Sequence, residues 1–181
     1  VVRPTILDDT TAAKSAAQYW ARGKEAKIGA GVWMWWTDGS RSDDGQVGAT
    51  AVCTHGNEWR SPHSFPGTGR MEVFNTEQWA IRFALDVAIE PTDTLQEHGV
   101  KTVAVFSDSL AAIRRAAHLG PSPAQRLAKR ISRRARSLLA HGFATEIHWV
   151  PGHSGIRGTK EADRQANITR NASGSRVVEW P

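Results

Sequence analysis

Four carboxylates in this chain stand where a carboxylate needs a reason: Asp38, Glu77, Asp108 and Asp163. Asp38 follows the apolar run Val32 to Thr37, and Asp108 follows Val103 to Phe106 by one serine. Each run reads as a strand buried on both faces, so each Asp marks a strand end. Either one alone reads more simply as a turn or helix-cap Asp. Glu77 precedes Ala80 and Ile81 by three and four residues, which puts it on the helical stripe that faces the sheet. A carboxylate there is costly unless something pairs with it, although a helix-start Glu in the first turn is an alternative. Asp163 is placed at the start of the last helix, three residues before Ala166 and on its inward side; a solvated first-turn Asp is the alternative reading. Four acids converging in a dry site would repel one another, and divalent cations remove the repulsion. All-oxygen ligation suits Mg²⁺ or Mn²⁺. Two such ions about 4 Å apart can hold both the attacking and the leaving oxygen of a phosphodiester.

The elements that must position these acids are legible around them. Thr10 to Lys27 reads as an Ala-rich flanking helix capped by Asp9 or Thr10. Val32 to Thr37, Gln46 to Thr54 and Glu58 to Phe65 read as three strands of an antiparallel meander, separated by Asp-Gly and Gly-Asn turns. Ala80, Ile81, Ala84, Leu85 and Ala88 recur at helical spacing. A fourth strand ends at Asp108, and a short helix carries Leu110 to Leu119. Pro121-Ser122-Pro123 then breaks the chain before a long helix to about Leu139. Phe143 to Val150 is the fifth strand, Lys160 to Arg170 the final helix, and the residues after Ala172 a flexible tail. Right-handed crossovers give an α/β fold whose five-stranded mixed sheet has the order 3-2-1-4-5, flanked by helices. Asp38 and Asp108 then lie side by side where the connections leave in opposite directions, the place open α/β sheets use for ligands. The expected organisation is a flanking segment over 1–27, a catalytic domain over 28–171 and a tail over 172–181.

The 181 residues suit one domain with a core of its own. No stretch approaches a membrane span, the first nine residues lack the layout of a secretion signal, and Cys53 is the only cysteine. These features predict an intracellular protein, nuclear or cytoplasmic, with no disulfide framework and no membrane partner. The chain does not begin with Met, so it reads as a piece of a longer one. Net charge is +5, and Gly120 to His141 holds Arg126, Lys129, Arg130, Arg133, Arg134 and Arg136 with no acid. That segment alone carries the basic excess. Leu127, Ile131, Ala135 and Leu138 give it a buried stripe and leave its cations outside. The face is either a phosphate contact or a solvated charged surface.

The acids sit in four blocks: Thr37-Asp38-Gly39-Ser40, Thr76-Glu77-Gln78-Trp79-Ala80-Ile81, Ser107-Asp108-Ser109, and Trp149 to Gly158 running into Glu161-Ala162-Asp163. In this order the blocks resemble the ribonuclease H family over Ile28 to Asn171, most closely the ribonuclease H domains of non-LTR retrotransposon reverse transcriptases. The resemblance implies a ribonuclease H-like fold and hydrolysis of the RNA strand of RNA–DNA hybrids, leaving 5′-phosphate and 3′-hydroxyl ends. It implies that Asp38 bridges two Mg²⁺ or Mn²⁺ ions and that Glu77, Asp108 and Asp163 complete their shells. His153, ten residues before Asp163 and flanked by Gly152 and Gly155, matches a loop histidine that aids proton transfer or product release. Gly39, Ser40 and Ser109, with Arg130, Arg133 and Arg134, are the expected nucleic-acid contacts. The implied partners are the hybrid and an upstream reverse transcriptase domain; a monomer is expected. Thr159 departs from the Asn often found there, a change expected to affect only local capping. A non-catalytic hybrid-binding domain and a junction resolvase are the competing readings. The complete acid set argues against the first and the Gly-His-Ser-Gly loop against the second. Of the eight Trp residues, Trp33, Trp35, Trp36 and Trp149 are expected in the core, with Trp79 either in the core or lining the hybrid's DNA strand.

Overall fold

The computed structural model describes residues 3–6, 9–25, 31–43, 45–55, 58–68, 73–118, 120–121, 125–152 and 155–171. Its elements are β1 (Arg3–Thr5), α1 (Asp9–Glu25), β2 (Val32–Arg41), β3 (Gln46–His55), β4 (Glu58–Thr68), α2 (Val73–Ile89), α3 (Thr92–Glu97), β5 (Thr102–Ser107), α4 (Leu110–Ala117), α5 (Gln125–Ala140), β6 (Ala144–Trp149) and α6 (Arg157–Asn171). His153, Lys27 and the tail from residue 172 lie outside the described residues.

The sheet order is β1-β6-β5-β2-β3-β4. The five expected strands therefore lie in the expected order, with β2, β3 and β4 antiparallel and β2, β5 and β6 parallel. A sixth strand is added at the edge: β1 pairs parallel with β6, Arg3 opposite Glu146 and Thr5 opposite His148. Arg-Pro-Thr has no alternation and is too short to announce a strand.

Helices cover both faces, which is why the central strands are apolar without alternation. Trp35, Val103 and Val105 point to one side and pack with Ile81, Leu85, Ile113, Ile131 and Leu138 from α2, α4 and α5. Met34, Trp36, Ala104 and Phe106 point to the other and pack with Ala16 of α1 and Ala162 of α6. Trp36 stacks on Phe106 with ring centroids 4.3 Å apart. Trp35 and Trp36 are core as expected, whereas Trp33, Trp79 and Trp149 are partly buried at the margin of the first cluster. The Arg82 guanidinium lies 4.4 Å from the Trp79 ring centroid, so one face of that indole is covered by a cation from its own helix.

α6 approaches the sheet closely because glycines meet it there. A Cβ on Gly158 would come within 2.1 Å of the Trp36 indole, and one on Gly48 within 2.6 Å of the Ala166 carbonyl oxygen. Ala162 and Ala166 are fully buried on the same side. The Ser40 hydroxyl donates to the Ala166 carbonyl at 3.1 Å, tying the helix to β2. This close seat carries Asp163 toward the ends of the central strands.

Candidate metal centre

Asp38 and Asp108 are placed by one register. β2 and β5 pair in parallel from Val32↔Thr102 to Thr37↔Ser107, and each Asp is the next residue. β2 itself continues to Arg41, with Asp38 opposite Thr50 of β3. Asp38 thus ends the pairing with β5 but not its strand, a difference from the strand-end expectation. The Thr37 hydroxyl donates to the Phe106 carbonyl at 3.1 Å and locks the two strands together just below the acids. Ser109 caps α4, its hydroxyl accepting from the Ala112 N–H at 3.3 Å, which turns the chain away immediately after Asp108. The Trp149 indole N–H donates to the Asp108 carbonyl at 3.0 Å from β6. Nothing in the sequence pattern signalled that bond; the two residues are 41 apart.

Glu77 enters from α2. The helix begins at Val73, so Glu77 stands in its second turn rather than its first, on the stripe with Ala80 and Ile81. It is only 4% exposed, and its Oε2 is buried without a hydrogen-bond partner. Carboxylate oxygens of Asp38, Glu77 and Asp108 lie within 4.8 Å of one another. Burial, followed by the charges of Asp108 and Asp163, pushes the Asp38 carboxyl up to about 7; the Gly39 backbone N–H partly offsets this. Burial, then Asp38 and Asp108, raises Glu77 well above the usual carboxylate range. An orphaned buried oxygen inside a triad of acids whose protons are held this tightly is a donor set awaiting a hard cation. It fits Mg²⁺ or Mn²⁺, whose ligands are oxygens.

Asp163 is set differently. α6 begins at Arg157, so Asp163 lies in the second turn, exposed at the rim and outside the 4.8 Å triad. It faces the same cavity of about 220 Å³ as Asp38, Asp108, Gly152, Gly155, Thr159 and Lys160. Asn167, one turn on, donates to the Asp163 Oδ1 at 3.0 Å. Thr159 and Lys160 were not picked out from the sequence as site residues. Thr159 is the third residue of α6, 9% exposed, and its hydroxyl lacks a partner, so it walls the cavity instead of capping the helix. Gly152 presses on the site: a Cβ there would stand 2.6 Å from Asp108 Oδ2. The two described glycines around positions 153 and 154 therefore line the acid cavity, while His153 itself is outside the described residues.

The expected nucleic-acid contacts divide. Gly39 is buried under the start of α2, Ser40 is bonded to α6 and Ser109 to α4, all beside the acids. Arg130 and Arg133 are exposed on α5. Arg134 is paired with Asp86 of α2, which also binds Arg82 at 2.8 Å.

A mixed sheet of this order, with acids at the carboxyl end of the pairing between its central parallel strands, defines the ribonuclease H-like class of α/β domains. The RNase H family model matches residues 31–170, and the chain belongs to that family. It is similar to RNase H1 of Halobacterium salinarum, at 20% identity over 77% of this chain and 98% of that one, with a TM-score of 0.51. The N-terminal RNase H domain of a Mycobacterium tuberculosis protein is also 20% identical, over 78% of this chain and 94% of that one, with a TM-score of 0.56. LC11-RNase H1 from compost, solved with an RNA/DNA hybrid, is 17% identical over 77% of this chain and 96% of that one, with a TM-score of 0.53. No curated protein matches the chain. None of these three relatives is described as part of a reverse transcriptase, so the retroelement expectation finds no support among them. Among the described residues, no helix is long and apolar enough to cross a membrane.

Proposed function

We propose that this chain hydrolyses the RNA strand of RNA–DNA hybrids with two divalent ions held by Asp38, Glu77, Asp108 and Asp163. The observation that carries this is the buried, unpartnered Glu77 Oε2 within 4.8 Å of oxygens of Asp38 and Asp108. Divalent ions bound there supply Lewis-acid stabilisation of charge on the attacking and leaving oxygens. The chain's own residues supply the rest. Asp38, held by the β2–β5 register, and Asp108, fixed through its carbonyl by Trp149, give a rigid pair of donors. Glu77 closes the dry side, and Asp163 stands at the solvent side with its carboxylate steadied by Asn167. His153, on the loop whose glycines line the cavity, is assigned the transfer of a proton to the leaving 3′-oxygen. Water adds to phosphorus, the P–O3′ bond breaks, and 5′-phosphate and 3′-hydroxyl ends result. Support for the hybrid as substrate comes from family membership and from the hybrid-bound relative. Arg130 and Arg133 are proposed to contact its backbone, with Gly39, Ser40 and Ser109 framing the acids. We take residues 28–171 as the catalytic unit. The motif likeness alone supports a retroelement origin with a neighbouring polymerase domain.

The test is cleavage of an end-labelled hybrid with and without Mg²⁺ or Mn²⁺. Metal-dependent cuts confined to the RNA strand and lost in Asp38→Asn are expected. Inactive wild-type protein that nevertheless binds hybrid would replace this reading with a non-catalytic one.

A further inference from the structure

Lys160 is the cation of the acid cavity. Among the described residues that line this space of about 220 Å³ it carries the only positive charge, beside the carboxylates of Asp38, Asp108 and Asp163. It is exposed, and it is in no ion pair among the described residues. α6 explains why a lysine among acids stays free. Asp163 stands three residues on, one turn away on the same side of the helix. Its Oδ1 already accepts from Asn167 at 3.0 Å. Glu161, the adjacent acid, pairs with Arg164 at 2.6 Å. The near acids of the helix are thus engaged by other donors. The ammonium is left at the rim of the cavity with its three N–H donors unused.

Charge balance gives the free ammonium a task. Asp38, Glu77, Asp108 and Asp163, all ionised, are formally cancelled by two divalent ions. No positive charge is left over for the substrate. A phosphodiester brings one negative charge into the cavity, and a second develops as the water oxygen adds to phosphorus and its proton leaves. A cation standing beforehand where that charge appears stabilises the transition state more than the ground state. Lys160 is the one described residue of the cavity that can supply it.

We propose that Lys160 is a catalytic residue whose ammonium donates a hydrogen bond to a non-bridging oxygen of the phosphate in the acid cavity, balancing the charge that the metal ions leave over. The lysine keeps its proton throughout, and no bond to it forms or breaks. The proposal rests on the proposed function for the reaction; the phosphate contact itself is independent of which nucleic acid carries the phosphate. The sign of the charge has a second effect. Before substrate arrives, the ammonium repels incoming metal ions, so removing it favours metal binding while it harms turnover. A lysine that merely held Asp163 in place would, when removed, weaken metal binding and turnover together.

The test compares the full chain with Lys160→Met and Lys160→Arg. Lys160 is exposed, so neither substitution disturbs the core. In hybrid cleavage at saturating Mg²⁺, Lys160→Met is expected to lower kcat by about ten- to a hundredfold with KM changed by less than about threefold. Lys160→Arg, which keeps the charge, should stay within about threefold of the wild type. In calorimetric titrations without substrate, Lys160→Met should bind Mg²⁺ at least as tightly as the wild type. Inorganic phosphate added to the Mg²⁺-loaded wild type should raise its melting temperature, and it should bind Lys160→Met about tenfold more weakly. An unchanged kcat in Lys160→Met would overturn the proposal. So would a loss of turnover that comes with weaker Mg²⁺ binding and is restored by more Mg²⁺. If the wild type cuts no hybrid, the phosphate titration decides alone. A phosphate affinity that depends on Lys160 then keeps the contact while the hybrid reading falls, and equal affinities or no binding overturn the contact as well.

Discussion

Gly39 and Glu77 are in direct backbone contact: a Cβ on Gly39 would stand 2.7 Å from the Glu77 nitrogen and 2.5 Å from the Thr76 hydroxyl oxygen. The glycine after Asp38 is therefore what lets the start of α2 press onto β2 and deliver Glu77 beside Asp38. Gly39→Ala should cost about 1–3 kcal/mol of stability, the usual cost of overpacking, and should lower activity more than that loss explains. Denaturant unfolding and hybrid cleavage measured on the same preparation check both halves.

Asp38→Asn and Glu77→Gln should each lower cleavage about a hundredfold or more, equivalent to ~2.7 kcal/mol of transition-state stabilisation. In the absence of metal, both should also raise the melting temperature at neutral pH, because each removes a carboxyl whose ionisation is opposed by burial and then by its acidic neighbours. Calorimetry in chelator separates this gain from the activity loss. A melting temperature lowered by both substitutions would mean that the acids are satisfied without metal.

The raised carboxyls fix the sign of the pH dependence. With Asp38 moved from 3.8 to about 7 on folding, the unfolded chain releases its proton first as pH rises. In the metal-free protein the stability contributed by the Asp38 carboxyl should be complete below about pH 4 and fall by on the order of 2–4 kcal/mol through pH 7, with Glu77 acting in the same direction. Mg²⁺ or Mn²⁺ should stabilise the protein at pH 8 and barely at pH 5. Thermal melts over that range, with and without metal, give the comparison.

Asp163→Asn should be milder than Asp38→Asn. Asp163 is exposed at the rim and outside the triad, so its loss should chiefly weaken metal binding. Raising Mn²⁺ should restore much of the activity, whereas no concentration should rescue Asp38→Asn. Metal titrations of the cleavage rate distinguish the two.

Gly152→Ala would place a Cβ 2.6 Å from Asp108 Oδ2, between the loop's two core residues, Val150 and Ile156, and outside the core itself. A loss of activity of about tenfold, equivalent to ~1.4 kcal/mol in the barrier, is expected with little change in unfolding free energy. An inactive variant that also unfolds easily would show that the loop is structural.

What the sequence made legible follows from physical scale. Asp38 and Asp108 were visible because fully buried strands are apolar runs and a following Asp interrupts them. Glu77 was visible because a carboxylate on the Ala80–Ile81 stripe breaks the helical pattern. Its turn was misjudged because Asn75 and Thr76 are cap-forming residue types just before Glu77, whereas the helix already begins at Val73. Asp163 was placed too near the helix start for a related reason: Arg157-Gly158-Thr159 looks like loop, but the helix already begins at Arg157, and the glycine there serves the close packing against Trp36. The Trp149–Asp108 bond and the lining role of Thr159 and Lys160 depend on how distant segments meet, which local periodicity does not encode.

The three residues of β1 also occupy the backbone groups along one side of β6. A fragment trimmed to the span the family model matches, residues 31–170, would leave those amides and carbonyls open as a template for a foreign strand. Such a shortened chain can keep every acid of the metal centre and still be lost to intermolecular β-pairing during expression, so Arg3 to Thr5 act as a built-in guard against self-association.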